Sequence, residues 1–372
     1  MKLTFVNVGY GEAILLECPD PRFTDGTFVM LIDGGSAETS EFEDRSSGRI
    51  PLADYLKARG VGHIDRMVST HIHEDHICGM LPAAAHLTPA ALWQALPVDF
   101  HRTVMHRLNV SLAQNDSQSK FLRALNDYQS LCQLMEEQGK AIETLAAGAS
   151  GKLCRDLRYR VLAPSAEKAG ELEDLCRGLF AEEDPAAFLR KLSALDARMN
   201  NFSLILQLDY RGTRILLPGD TNALGYGGID PASLGAHLFK VGHHGQKDGA
   251  SRELLEAVRP QAVVCCASSD RRYNSAHPDM LRMIADSGAA LYFSDCPPVP
   301  GLHLPPHEAL VFTVGEGGAF SAQYLRVPRC EKVPCSAEHG TFFMCFRSAV
   351  APALPRTASA GRTAPPSGTG PR

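Results

Sequence analysis

Metal-binding side chains are concentrated in one short stretch of the chain. Within the sequence Thr-His-Ile-His-Glu-Asp-His, four residues can each offer a nitrogen or an oxygen atom to a cation: His71, His73, Asp75 and His76. Mixed imidazole and carboxylate ligands suit zinc, or manganese where more oxygen atoms take part. The spacing allows His71 and His73 to bind one ion while Asp75 and His76 bind a second. The sequence therefore predicts a metal centre, because four such residues rarely crowd together by chance.

Two later segments supply further candidate ligands. Asp220 follows the apolar run 214–217, so its carboxylate is expected at the end of a strand, where it can bridge two cations. His243 and His244 follow the apolar run 237–241 in the same way. A single Asp or His in such a turn is usually structural. Together with the first cluster, these residues favour one shared metal site.

The apolar patterns predict strands in both halves of the chain and helices between them. The predicted strands are 3–6, 13–17, 28–32, 64–68, 159–162, 203–208, 214–217, 237–241, 262–266, 290–293 and 309–314. The predicted helices are 52–58, 88–93, 117–143, 172–180, 184–195, 251–258 and 279–287. This order favours the α/β (layered α+β) class, with two sheets packed face to face, helices on the outer faces, and a helical insertion at about 85–200 beside the site.

Composition restricts the classes of function. The chain has 372 residues, a hydrophobic content of 44% and a formal net charge of −5, so it carries no global basic field for a nucleic-acid backbone, and the sequence displays no local basic patch. No run approaches the roughly 18 apolar residues of a membrane span. We expect a cytoplasmic protein without membrane contact, with a domain at 1–320, an extension at 321–350 and a disordered tail at 351–372.

The eleven cysteines are scattered and odd in number, which favours reduced, buried thiols over a disulfide framework. One group allows a different interpretation, a small structural zinc site formed by Cys330, Cys335, His339 and Cys345. Its spacings are irregular and include no Cys-x-x-Cys pair, so ordinary packing is the alternative.

The order of these motifs resembles the metallo-β-lactamase fold and, more narrowly, the soluble hydrolase domain of the competence protein ComEC and its stand-alone relatives. The resemblance covers about residues 1–315 and implies an αββα sandwich. Its motifs are Asn7–Glu12 (similar to the family's Asp-Val-Gly-Gln-Gly-Asp), Asp33–Gly35, His71–His76, Asn200–Leu204, Gly219-Asp220, Lys240–Gly245, Asn274 and His277-Pro278. Two residues depart from the family pattern: Tyr10 replaces Gln, and Glu12 replaces Asp but keeps the carboxylate, which we expect to support the metal-binding histidines.

The resemblance implies a role for each matched residue. One ion would be held by His71 and His73, a second by Asp75, His76 and His244, with Asp220 bridging them. Many relatives add a histidine between the first motif and the bridging Asp. The residues available there are His86, His101 and His106, none at a convincing strand end, so a single bound ion is the alternative to two.

Several further residues are candidates for catalysis. Asp75 would both bind metal and orient the nucleophile. Hydrogen bonds to the substrate would come from His243, His277 or Asn274. Lys240 and Lys247 are candidate phosphate contacts, although a surface position is the simpler explanation for Lys247.

The chemistry expected of such a site is hydrolysis by water that the ions activate. We expect a phosphodiester substrate: a nucleotide, a short nucleic acid or a small phosphodiester. The alternatives are a carboxylic substrate such as a lactone or thioester, least of all a β-lactam, and a non-catalytic metal-binding module. Convergence of Asn200, Ser203 and Asn274 on the site would favour phosphate.

Overall fold

In the computed structural model, residues 1–326 are described, and they form two β-sheets with helices on both outer faces. The strands are β1 (Lys2–Val6), β2 (Ile14–Pro19), β3 (Thr27–Ile32), β4 (Arg66–Val68), β5 (Ala91–Gln94), β6 (Ala141–Thr144), β7 (Ser150–Cys154), β8 (Leu157–Ala163), β9 (Ile205–Tyr210), β10 (Thr213–Leu217), β11 (Leu238–Lys240), β12 (Ala262–Cys265), β13 (Ala290–Phe293), β14 (His307–Val314) and β15 (Phe320–Arg326). The α-helices are α1 (Leu52–Ala58), α2 (Glu74–Ile77), α3 (Met80–His86), α4 (Phe100–Thr103), α5 (Asp116–Glu137), α6 (Ala166–Phe180), α7 (Pro185–Asp196), α8 (Arg252–Val258) and α9 (Pro278–Asp286).

Each sheet combines an antiparallel part with a parallel part. The first has the order β15-β14-β1-β2-β3-β4-β5-β6, and its strands from β3 to β6 are parallel. The second has the order β13-β12-β11-β10-β9-β8-β7, and its strands from β10 to β13 are parallel. Because parallel neighbours end on the same edge of a sheet, the loops after β10, β11 and β12 lie side by side.

Buried apolar side chains form three clusters, one between the two sheets and one beneath the helices on each outer face. Alternate residues such as Leu3 and Leu206 pack between the sheets. Helix α5 buries Phe121 among the residues that cover the first sheet, and α8 buries Leu255 beside Phe239 of the second. The layers therefore run helix, sheet, sheet, helix, which confirms the predicted fold class.

Three parts of the prediction differ from the structure. The helix expected at 117–143 ends at Glu137, and Ala141–Thr144 is a strand that pairs with β5. Residues 88–93 were expected to be helical, because Thr88-Pro89 can begin a helix, but Ala91–Gln94 is a buried strand paired in parallel with β4 and β6. Pairing on both sides outweighs the local helix signal. The range 85–200 contains long helices together with β5, β6, β7 and β8, so its strands complete both sheets and the segment is not solely helical.

No helix within residues 1–326 has the length and apolar character needed to cross a membrane. Residues 321–326 belong to β15. The rest of the predicted extension, the tail at 351–372 and the zinc alternative at Cys330, Cys335, His339 and Cys345 lie outside the described residues.

Candidate metal centre

The predicted ligands lie on three loops that meet at one edge of the sandwich. The first cluster follows β4 of the first sheet and continues into α2. Asp220 follows β10, and His244 follows the neighbouring parallel strand β11. Ligands more than 140 positions apart in the sequence are therefore brought together by packing of the two sheets.

Four of the predicted ligands converge. One ligand atom from each of Asp75, His76, Asp220 and His244 lies within 4.8 Å of the others. Nε2 of His244 is 2.7 Å from Oδ2 of Asp220 and 2.9 Å from Oδ2 of Asp75. Nε2 of His76 is 3.3 Å from the same Asp220 oxygen.

The two Nε2 atoms are buried, and neither makes a hydrogen bond of acceptable geometry within residues 1–326. A buried polar atom without a partner is costly. Convergence of two such nitrogens on two carboxylates is the donor set expected of a divalent-cation site. The residues of this chain therefore fit a bound metal ion.

Hydrogen bonds on the far side of each ring fix the tautomers. Nδ1 of His76 is 2.7 Å from Oδ2 of Asp33, and Nδ1 of His244 is 2.8 Å from the carbonyl oxygen of Cys266. Because both partners are acceptors, Nδ1 carries the proton and the lone pair of Nε2 points to the cluster.

Asp33 holds more than one residue of the site. Its side chain is fully buried and accepts hydrogen bonds from the backbone amide of Thr70 at 2.8 Å and from the Thr70 hydroxyl at 2.6 Å, besides the bond from His76. Because the Thr70 hydroxyl donates to Asp33, its oxygen, which lies 3.0 Å from Nδ1 of His71, accepts a hydrogen bond from that nitrogen. One carboxylate thus orients His76 directly and His71 through Thr70.

His71 connects the cluster to His73. A ligand atom of His71 lies within 4.8 Å of ligand atoms of Asp33 and His76, and its Nε2 is 3.1 Å from Nδ1 of His73. Nε2 of His73 faces Asp196 at 3.1 Å, so Nδ1 is the His73 nitrogen directed at His71. Within residues 1–326, His73 joins no group of three ligand atoms within 4.8 Å, so this pair offers a less complete site than the four converging residues.

Lys240 and Glu12 form a buried support for Asp220. Both side chains are fully buried and form an ion pair, and Nζ of Lys240 lies 2.7 Å from Oδ1 of Asp220. Lys240 is therefore not available to a phosphate group, contrary to the expectation from the sequence. Glu12 supports the Lys240–Asp220 pair and not the histidines, which are held by Asp33 and Cys266.

The pKa values follow from this network. Burial lowers the pKa of His244, but the carboxylates of Asp220 and Asp75 outweigh it and raise the pKa to about 9. Burial also lowers the pKa of His76, and Asp220 and Asp75 raise it well above its ordinary range. The pKa of His71 is well below its ordinary value, because burial and the neighbouring His76 and His73 act in the same direction. The metal-free site thus holds protons that a cation would displace.

A cleft of about 340 Å³ opens onto the cluster. The Tyr10 ring packs against the His244 ring with a centroid distance of 4.4 Å, and Tyr273 packs on Tyr10 at 5.1 Å. Nζ of Lys120, on α5, donates to the Tyr273 hydroxyl at 3.1 Å. The other lining residues are Ser36, Glu38, Glu41, His73, Glu74, Asp75, Ser117, Phe121, Asp196, Asn200, Asp220, His243, Gln246 and Arg272.

The structure places the predicted hydrogen-bond donors differently. His243 lines the cleft, with Nδ1 2.8 Å from Asp248. His277 caps α9, where Nδ1 accepts from the backbone amide of Asp279 at 3.2 Å, and neither it nor Asn274 lines the cleft. Left-handed φ angles of 54° at Tyr273 and 60° at Asn274 turn this loop so that Tyr273 takes the position facing the cleft.

The structure also gives the positions of the other candidates from the sequence, Lys247, Asn200 and Ser203. Lys247 is exposed and does not line the cleft, which agrees with the surface position given as its simpler explanation. Asn200 lines the cleft, whereas Ser203 is buried outside the lining, so the convergence of Asn200, Ser203 and Asn274 that would favour phosphate is not observed.

Sequence reasoning missed several contributors to the site. Asp33 and Tyr10 stood in recognised motifs, and their positions after predicted strands were an available signal. Asp196, Lys120 and Tyr273 carried no such signal, because each lies in a helix or turn whose neighbours are set by tertiary packing.

Known proteins were compared with this chain at the level of sequence and structure. No family model matches. ComE operon protein 3 of Bacillus subtilis (strain 168) is 23% identical over 291 residues, which cover 76% of this chain and 30% of that protein. The chain therefore spans about a third of the length of this curated relative.

The chain is also similar to solved structures, at low sequence identity and low TM-score. Hydrolase AbOPH of the β-lactamase superfamily is 14% identical, with 87% of this chain and 80% of that chain covered and a TM-score of 0.33. Zn²⁺-bound PqqB from Methylobacterium extorquens is 10% identical, with 79% and 98% covered and a TM-score of 0.38. Values this low do not identify the chemistry, which has to be inferred from the residues. The described residues form an αββα sandwich, and the resemblance to ComEC expected from the sequence is confirmed by the similarity to ComE operon protein 3.

Proposed function

We propose that this protein is a metal-dependent hydrolase that cleaves a phosphodiester. The observation that carries the proposal is the convergence of Asp75, His76, Asp220 and His244, with two buried Nε2 atoms that make no hydrogen bond of acceptable geometry among residues 1–326. These four residues would hold one zinc ion, with manganese as the alternative metal. His71 and His73 would hold a second ion that shares Asp220.

A divalent ion in this position supplies Lewis acidity and lowers the pKa of coordinated water. The protein contributes orientation. Lys240 fixes the carboxylate of Asp220, and Asp33 fixes the rings of His76 and His71. Among the four converging residues Asp75 has the most exposed side chain, at 15%, and it lines the cleft, where its carboxylate can orient a water molecule.

Cationic and phenolic groups in the cleft favour an anionic substrate. Lys120 and Arg272 line its wall, and the hydroxyl group of Tyr273 lies next to Lys120. Burial raises the pKa of Tyr10 well above its ordinary value, and the nearby carboxylates of Asp75 and Asp220 raise it further. Tyr10 therefore stays protonated at neutral pH and can donate a hydrogen bond to a substrate oxygen.

Acidic groups on the same wall are largely neutralised. Glu41 pairs with Arg49 and Arg272, and Glu38 pairs with Arg123. Lys120 and Arg272 are also paired, with Asp116 at 2.8 Å and with Asp270 at 2.9 Å, so a bound metal ion would be the principal positive charge that a substrate meets. An anionic phosphodiester suits such a cation, with the Tyr10 and Tyr273 hydroxyl groups beside it as hydrogen-bond donors.

Two substrates with the same chromophore test the proposal. Purified protein loaded with zinc or manganese is assayed on bis-p-nitrophenyl phosphate and on p-nitrophenyl acetate, together with Asp75→Asn and the surface control Asp286→Asn. We expect metal-dependent turnover of the phosphodiester that falls more than about 100-fold in Asp75→Asn, since a metal ligand is lost, and is unchanged in Asp286→Asn.

The other outcomes separate the alternatives. Turnover of the acetate but not of the phosphodiester would support a carboxylic substrate. Stoichiometric metal with turnover of neither would support a metal-binding module. Equal loss of activity in both variants would show that Asp75 has no special role.

A further inference from the structure

Four basic side chains share the outer face of the second sheet. Along β8, Leu157 and Val161 point into the layer between the sheets, and the intervening Arg158 and Arg160 are exposed. Lys152 of β7 and Arg214 of β10 are exposed as well. Because side chains alternate along a strand, all four basic residues project away from the core on one face.

The strand register places these cations next to one another. Lys152 is directly opposite Arg158, Arg158 is opposite Asp209 of β9, and Asp209 is opposite Arg214. Neighbouring strands are about 4.8 Å apart, so three cations and one carboxylate form a row across four strands. Arg160 extends the cationic surface along β8, two residues from Arg158.

This arrangement is not explained by pairing within the protein. None of the four basic side chains forms an ion pair or a side-chain hydrogen bond within residues 1–326. Asp209 lies between two arginines, yet its Oδ1 accepts from the backbone amide of Gly212 at 2.9 Å. Like charges directly opposite each other destabilise a sheet, so an external anion would relieve the repulsion between Lys152 and Arg158.

The four cations line a groove of about 840 Å³, which we call the basic groove. Among its described lining residues, Asp209 is the one acidic side chain. The remaining lining residues are Ser150, Gly151, Tyr159, Gln207, Gly212, Ala232 and Ser233. The surface is therefore polar and cationic, within a chain whose formal net charge is −5.

We propose that the basic groove binds the sugar-phosphate backbone of a single-stranded nucleic acid. A cationic groove that follows the backbone is the usual means of binding single strands without sequence preference. A membrane surface fits less well, because Tyr159 and Ala232 are the groove's apolar contributions, Tyr159 is partly buried, and the exposed Ala232 offers only a methyl group for insertion. Binding in the groove does not depend on the proposed hydrolase activity.

The groove and the metal centre lie toward opposite ends of the same strands. Arg214 is near the start of β10, and Asp220 follows the end of that strand. A single strand of several nucleotides could therefore contact both. This extension rests on the proposed function: it makes the groove a holding site for a polymeric phosphodiester.

Fluorescence anisotropy of a labelled 20-residue oligothymidylate tests the groove directly. For this titration the oligothymidylate carries phosphorothioate linkages, which resist hydrolysis; the zinc-loaded protein is titrated from 50 to 200 mM salt, and a gel confirms that the oligonucleotide stays intact. The test variant replaces Arg158, Arg160 and Arg214 by Gln. The matched control replaces Lys57, Arg190 and Arg252 by Gln, which removes the same charge from exposed helix positions.

We expect the test variant to bind at least about tenfold more weakly and its salt slope to fall by about 2, because each phosphate contact on a single strand contributes about 0.7. The control should bind like the natural protein. Equal binding by test and control variants would overturn the proposal, as would undetectable oligonucleotide binding by the natural protein at 50 mM salt. Binding to vesicles containing phosphatidylserine, with none to the oligonucleotide, would also overturn it in favour of a membrane partner.

Measurements of substrate turnover distinguish the proposed hydrolase activity from the proposed binding in the basic groove. On bis-p-nitrophenyl phosphate, the test variant should keep the natural kcat and KM, since this substrate is too small to reach the groove. On the oligothymidylate, KM should rise with kcat unchanged. Absence of turnover on both substrates would overturn the hydrolase proposal and leave the binding result standing.

Discussion

Replacing Asp220 by Asn should both destabilise the protein and weaken metal binding. Asp220 is 2% exposed, pairs with Lys240 at 2.7 Å and faces both His76 and His244. Removing one partner from a buried ion pair costs about 3–5 kcal/mol. Because Lys240 keeps Glu12 as a second partner, we expect the lower end, about 3 kcal/mol, or roughly a hundredfold in the folding equilibrium.

The assay is urea unfolding in the presence of a chelator, followed by competition for zinc against a coloured chelator. The control is Asp295→Asn, because Asp295 is also fully buried and pairs with Arg49 at 3.1 Å without belonging to the metal cluster. We expect both variants to lose stability, and Asp220→Asn alone to lose zinc affinity.

Two results would refute this reasoning. An unfolding free energy of Asp220→Asn within about 0.5 kcal/mol of the natural protein would show that the Lys240 pair does not depend on this carboxylate. An unchanged zinc affinity would show that Asp220 is not a ligand. Loss of zinc affinity in Asp295→Asn would mean that affinity only reports general destabilisation.

Three further predictions concern protonation, orientation and packing. Because the folded pKa of His244 is raised to about 9, its stabilising contribution is complete below its ordinary pKa of about 6.5 and is lost as the pH rises through 9. Urea unfolding of the metal-free protein should therefore show stability falling between pH 7 and pH 9, with a smaller fall when zinc is bound; a rise would contradict the assignment. Asp33→Asn should weaken zinc binding about 10–100-fold by releasing His76 and Thr70, measured by chelator competition, with Asp295→Asn unchanged. Gly34→Ala should lower the free energy of unfolding by about 1–3 kcal/mol, since its Cβ would lie 2.3 Å from the Met80 amide nitrogen. The control Gly170→Ala, on helix α6, places its Cβ within 4 Å of no atom and should not lower it.

Much of the ligand set could be predicted because its signals are local. The residues at 71–76 are adjacent in the chain, and Asp220 and His244 each follow an apolar run that predicts a strand. Loops at strand ends are where functional side chains usually lie. Local patterns also gave most strands and helices, while the strand at Ala91–Gln94 was missed because its pairing partners are distant in sequence.

The supporting residues could not be predicted in the same way. Lys240 was expected to contact substrate, and only burial between Glu12 and Asp220 shows that it holds a ligand instead. Asn274 was expected in the cleft, and left-handed backbone angles place Tyr273 there. These roles depend on side-chain direction and burial, which residue types alone do not specify.

The sequence by itself determined the ligand types, their loops and the layered class, because these depend on neighbours within a few positions. The tertiary structure decided which ligands converge and where charge accumulates. The basic groove illustrates the reason: Lys152, Arg158 and Arg214 are separated in the chain, and the sequence displayed no basic patch. The pairing of β7 with β8, and of β8 and β10 with β9, aligns them in one row. The register between strands depends on residues that are far apart in the chain, and it brings these separated cations together on one surface.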